Sequence, residues 1–295
     1  MDTLRKCTRS FWSLFLAGCV VLTLSAKADA QNTHRGIAIG VESIRIVDED
    51  DDLNNDEPYL IVTKFQFRVR LEAGRLALVP GTLRVENIMS GHNNLGRRDD
   101  NWADEGREGR TYSFSPRYAQ AMFPWNEDGW VIGAVVTHME EDGFAASTAA
   151  RLGDEVRNTV ERALLSGSFD AADAHRLSQV VIRKVSRDLS RSVGRFDVGG
   201  IIRSLASAAD PDDCGGSQIV VAVTAPGNRV FAYSGSPTTD EATLLGRSRE
   251  IRNGTHPLTL TFPTSDVAGV PHKARFSGNH QVNLSLRIWE QGLLR

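Results

Sequence analysis

Two hydrophobic periods divide this chain and set what it can fold into. Residues 37–47 alternate, with Val41, Ser43, Arg45 and Val47 on one parity and Glu42, Ile44 and Ile46 on the other. Side chains two apart share a sheet face, so this period with its β-branched residues predicts a strand. Phe65, Phe67, Val69 and Leu71 repeat the pattern within 59–71, and Val282, Leu284, Leu286 and Ile288 within 282–289. Residues 76–88 predict a further strand, bent at Pro80 and Gly81. Trp130–Met139 is apolar almost throughout, as expected of a central strand buried on both faces. Ile219–Val223 and Arg229–Tyr233 flank Pro226, Gly227 and Asn228 and predict a hairpin; Leu258–Phe262 predicts one more strand.

Between these groups the spacing becomes four. Leu152, Val156, Val160 and Leu164 form one stripe, with Asp154, Glu155, Arg157 and Glu161 on the other faces. That is an amphipathic helix over about 145–166. Leu177, Val181, Val185 and Leu189 predict a second helix after a break at Gly167 and Ser168, and 201–208 a short third. Arg183, Lys184, Arg187, Arg191 and Arg195 read as the solvated face of the second helix, with contact to an acidic partner or lipid headgroups as the alternative. Residues 90–128 are rich in Gly, Asn, Asp and Arg and read as a long surface loop, with aromatic contacts at Trp102, Tyr112, Phe114 and Tyr118. Strands on both sides of a helical block predict a mainly β chain with an α insertion. The simplest form is one antiparallel β-sandwich of about six to eight strands over 31–295, interrupted by a helical pair at about 145–209. Two separate domains would each have too few strands to close a core.

The first residues read as an export signal. Arg5, Lys6 and Arg9 precede an apolar run from Phe11 to Ala26, and Ala28, Asp29 and Ala30 form a small-x-small cleavage pattern. The run is shorter than the ~20 residues that span a bilayer comfortably. Residues 1–30 are therefore expected to be a signal peptide, placing the protein outside the cell or in the periplasm or envelope. An uncleaved anchor is one alternative. Leu16, Ala17, Gly18 and Cys19 also resemble a lipobox, which would make Cys19 a lipidated terminus; the run stays apolar through Val20, Val21 and Leu22, where a lipoprotein turns polar.

Cleavage changes the chemistry that remains. Cys7 and Cys19 leave with the signal, so Cys214 stands alone and no internal disulfide is possible. Four Lys/Arg (Arg5, Lys6, Arg9, Lys27) and two acids (Asp2, Asp29) are lost, leaving 30 basic against 35 acidic residues and a formal charge of −5. An acidic chain without a basic stripe is a poor nucleic-acid ligand.

The acidity concentrates at Asp48–Glu57, which holds seven carboxylates in ten positions. Like charges at that density repel, so the segment either stays open in water or is neutralised by a hard cation. Carboxylates, Asn amides and backbone carbonyls suit Ca2+, which takes six to eight oxygens at flexible geometry. The segment is not an EF-hand, because it lacks the Gly of the sharp turn and flanking helices. Two further acidic groups also fall at strand ends: Glu140, Glu141 and Asp142, then Asp210, Asp212 and Asp213. If strand directions bring all three to one end, they form a single multi-carboxylate site.

That arrangement resembles C2 domains, in which a Ser-Asp-Pro-Tyr loop and a later Asp-x-Asp loop bind calcium at the tip of a β-sandwich. Here Asn55, Asp56, Glu57, Pro58 and Tyr59 look like the first motif, with Glu57 as an extra residue. Glu140, Glu141 and Asp142 are similar to the second, with Glu in place of the first Asp. The resemblance implies calcium ligands at Asp50, Asp51, Asp56, Glu140, Asp142 and Asp213. The family has a short connection where this chain carries its helical stretch.

Candidate catalytic groups are sparse. Ser234, Gly235 and Ser236 do not form a Gly-x-Ser-x-Gly elbow and read as a turn. Asp213 beside Cys214 would raise its thiol pKa, so Cys214 reads as a packed structural cysteine. None of the seven histidines has the spacing of a zinc motif. His138 and Glu140 share parity on one strand, which allows a ligand pair, a base with an acid, or an ordinary polar contact. The expected function is a non-catalytic calcium-binding module presenting an acidic tip to a membrane surface, glycan or protein partner. A secreted metal-dependent hydrolase and a structural envelope protein are the alternatives.

Overall fold

The computed structural model describes residues 34–48, 58–72, 75–90, 107–124, 127–140, 146–165, 177–192, 213–263 and 276–291. The expected signal peptide and the third helix at 201–208 lie outside them. The chain is mainly antiparallel β in two sheets, with a helical insertion. Strands are β1 (His34–Asp48), β2 (Pro58–Glu72), β3 (Arg75–Leu78), β4 (Arg84–Ser90), β5 (Thr111–Pro124) and β6 (Trp130–Glu140). Helices α1 (Ala146–Leu165) and α2 (Leu177–Ser192) follow. Then come β7 (Asp213–Ala225), β8 (Arg229–Gly235), the short helix α3 (Glu241–Arg247), β9 (Arg249–Ile251), β10 (Gly254–Phe262) and β11 (Asn279–Gln291).

The smaller sheet has the order β10-β11-β1-β5. The larger has the order β3-β2-β6-β7-β8-β9, with β4 pairing the first half of β2 and β3 its last residues. Ile37, Ile39, Phe123, Leu284 and Leu286 of the smaller sheet pack against Ile132, Ala134, Val136, Val220 and Ala222 of the larger. The opposite face of the larger sheet is covered too. Phe65, Val131, Val135, Val221 and Val223 pack there with Leu152, Val156 and Val160 of α1 and with Val181, Val185 and Leu189 of α2. The helical pair is therefore a third layer that completes a second core. Strand β6 lies between the two cores, and every residue from Val131 to Glu140 is buried. This double burial is the physical reason for the unbroken apolar run.

Several sequence expectations need correction. Residues 111–124 are not loop: they form β5, which pairs with β1. Inward positions there include Ala119 and Ala121, too small to signal a strand above the polar composition. Residues 76–88 are two short strands separated at a turn, and β9 and α3 had no expected counterpart. The described residues thus hold eleven strands, more than the six to eight expected. The continuous parity of β1 also fails. Ile37, Ile39 and Val41 are buried on odd positions, and Ile44 and Ile46 on even ones. A β-bulge between Val41 and Ser43 absorbs the extra residue against β11, and the register with β5 breaks at the same place, where Ser113 and Arg117 are the partners of Ser43 and Val41.

The hairpin and helices follow expectation. Gly227 and Asn228 take left-handed φ values of 78° and 59°, as a tight strand reversal requires. The basic face of α2 is not uniformly solvated: Lys184 is buried and paired with Asp188 one turn on. Ser186 ties α2 to the loop after β8. Its Oγ donates to the Thr238 carbonyl at 3.1 Å and accepts from the Thr238 N–H at 3.0 Å.

Candidate functional site

The acidic strand ends meet across the larger sheet. Pro58 at the start of β2 is the register partner of Glu140 at the end of β6, and Glu140 is the partner of Asp213 at the start of β7. Asp48, where the acidic segment leaves β1, pairs with Asn279 at the start of β11 in the smaller sheet. Residues 49–57 therefore link the sheets at the end where Glu140 and Asp213 lie. Of the expected calcium ligands, Glu140 is almost fully buried and Asp213 is placed by its backbone. Asp50, Asp51, Asp56 and Asp142 lie outside the described residues. Among the described residues, no group of three or more His, Cys, Asp and Glu side chains is arranged to hold a metal.

Beneath this end sits a buried imidazole pair. Alternation on β6 directs Ile132, Ala134, Val136, His138 and Glu140 between the sheets, opposite in sense to Val131, Val135 and Met139. His280 of β11 enters the same space from the other sheet. His138 Nε2 and His280 Nδ1 lie 2.8 Å apart, so one ring donates and the other accepts. The His138 ring stacks on Phe262 with centroids 5.2 Å apart, and Phe276 lies 4.7 Å away at a tilt. Burial, and secondarily the electrostatic effect of His280, hold His138 well below the ordinary imidazole pKa of 6.5.

A second bulge makes room for this pair. His138 pairs with Gly216 and Met139 with Cys214, which leaves Gly215 as the extra residue of β7. A Cβ at Gly215 would stand 2.4 Å from His138 Nδ1, so no larger residue fits without displacing the ring. That Nδ1 is buried and has no hydrogen-bond partner among the described residues. Cys214 belongs to the opposite core, packed with the helices, and is fully buried. This agrees with the structural role read from the sequence.

Comparison with protein-family models, with curated proteins and with solved structures finds no match to this chain.

The expected pair of His138 and Glu140 does share a face. What the sequence reading missed is His280 as the partner of His138. A signal was present: His280 has the parity of Val282, Leu284 and Leu286 and continues their inward row by one step. As a general base, His138 would need a substrate within hydrogen-bond reach. Its complete burial and its aromatic cover leave a neutral, structural imidazole. The apolar stripes of the helices are also spent internally: Leu152, Val156, Val160, Val181, Val185 and Leu189 are all buried. No helix among the described residues is long and apolar enough to cross a membrane.

Proposed function

We propose that this protein is an exported, non-catalytic β-sandwich module of the C2-like kind that binds calcium at one end. The loaded end then meets a membrane surface, glycan or protein partner. One observation carries this reading: Pro58, Glu140 and Asp213 are register partners in adjacent strands. The sequence-distant acidic segments therefore start from one edge. Seven carboxylates between 48 and 57 leave the same end of the sandwich. Such a concentration of like charge destabilises a compact tip, and a hard cation with several oxygen ligands relieves it. Weak calcium sites are loaded outside the cytoplasm, where sites in the 10⁻⁴–10⁻³ M range (roughly) are common in extracellular modules.

The test is thermal unfolding in millimolar calcium, then in excess chelator. Calcium raises the melting temperature, chelation reverses the rise, and a protein carrying both Asp56→Asn and Asp142→Asn shows no shift. A melting temperature unchanged by calcium overturns the reading.

A further inference from the structure

The other end of the smaller sheet carries a different surface. Its outward face holds a groove of about 400 Å³ lined by Ala38, Gln120, Gly254, Thr255, Arg287 and Trp289, among others. That volume lies within the usual range of small-ligand sites. Along the strands it sits about ten residues from Asp48, or roughly 30 Å from the acidic end at ~3.3 Å per residue.

Register explains how the groove forms. Gly36 of β1 stands between Trp289 of β11 and Met122 of β5. Two residues on, Ala38 stands between Arg287 and Gln120, and Thr255 of β10 pairs with Arg287. One row is thus apolar and the next is polar. The floor is low because β1 presents only Gly36, Ala38 and Gly40 outward. Trp289 lies across the smallest of them: a Cβ at Gly36 would come within 2.1 Å of its indole carbons. One ring face rests on the β1 backbone, and the ring lines the groove. Gln120, Arg287 and Thr255 are exposed along the adjoining row, and Met122 is 36% exposed.

We propose that this groove binds a carbohydrate built of equatorially substituted pyranose units, such as a β-1,4-linked glucan or chitin chain. A pyranose with equatorial substituents offers a flat C–H face and a rim of hydroxyls. A flat indole held against the sheet matches the C–H face and loses little side-chain freedom on binding. The Gln120 amide and Thr255 hydroxyl of the next row supply donors and acceptors for the hydroxyl rim, beside the Arg287 side chain. Small floor residues let the sugar approach the sheet, and an apolar surface with a few placed polar groups is the usual composition of a ligand site. The site is separate from the acidic end and needs no metal.

The test is titration of the purified protein with cellohexaose, chitohexaose and maltohexaose, read by calorimetry and by tryptophan fluorescence. At least one of the first two binds saturably, and maltohexaose, whose axial linkages break the flat face, binds more weakly. Trp289→Ala weakens binding by about tenfold or more, the scale of a hot-spot aromatic. Gln120→Ala, an exposed change that leaves the core intact, weakens it severalfold with an unchanged melting temperature. Excess chelator leaves the affinity unaltered. Absence of binding to both equatorial hexaoses overturns the proposal, as does equal binding of maltohexaose. Affinity that survives both substitutions overturns it too, and affinity lost on chelation assigns the sugar to the acidic end instead.

Discussion

His138 of the larger sheet and His280 of the smaller share one hydrogen bond of 2.8 Å in the interior. It is a polar contact between two layers that meet largely through apolar side chains, as is the bond the Gln218 amide donates to the Thr261 carbonyl. Its consequence is acid sensitivity. The folded state holds His138 well below 6.5, so the unfolded chain takes up a proton that the fold refuses. Stability from this site is complete above pH ~6.5 and falls as the pH drops below it, by about 1.4 kcal/mol per unit, until the folded value is reached. Denaturant titrations between pH 8 and pH 5 measure the slope. A His138→Gln protein shows a shallower loss; an identical slope would remove His138 from the account.

Gly133 sets the packing under the helical layer. A Cβ there would meet Phe65 Cζ at 2.2 Å and the Val220 carbonyl oxygen at 2.7 Å. The ring can rotate away but the backbone oxygen cannot. Gly133→Ala is expected to cost about 1–3 kcal/mol, as overpacking does. Adding Phe65→Leu recovers part of the loss, which a double-mutant cycle would detect.

The helical insertion is expected to melt with the sandwich. Leu152 of α1 is fully buried against the larger sheet. Leu152→Ala should lower global stability by about 2–5 kcal/mol, read from denaturation followed by tryptophan fluorescence. A loss confined to the helical signal in circular dichroism, with the fluorescence transition unmoved, would show the layer to be separable.

Ser186 has a narrower role. Its hydroxyl makes both bonds to Thr238, and the side chain is fully buried. Ser186→Ala leaves the Thr238 N–H and carbonyl without their partner, a cost of about 1–3 kcal/mol. Amide exchange accelerates around residues 236–243 before it does so in β7.

The strands with large inward side chains were legible in the sequence. Phe65, Phe67 and Val69 on β2, and Leu284, Leu286 and Ile288 on β11, mark their own faces. The amphipathic helices were legible as well, since Val156 and Val160 repeat without interruption. Strand β5 was not, because Ala119 and Ala121 stand between its large inward residues Phe114 and Phe123 and leave the alternation weak. Spacing along the chain could not disclose layer order. Nothing in the stripe of α1 says that it covers the outer face of β6 rather than forming a domain of its own.

For the candidate site, the sequence located the acidic segments and the shared face of His138 and Glu140. It could not supply the pairing of Glu140 with both Pro58 and Asp213, which is a property of sheet order. The partnership of His138 with His280 spans 142 residues, and periodicity carries no information across such a distance.

The bulge at Glu42 has one more consequence. Strand β1 is written in two frames, odd residues inward before it and even residues inward after it. Deleting Glu42 would merge the frames and rotate one half of the strand by a face. Either Ile44 and Ile46 would be turned to water, or the small residues beneath Trp289 would be turned toward the core. The smooth outer floor and the buried inner row are thus two readings of one chain, kept in phase by a single inserted residue.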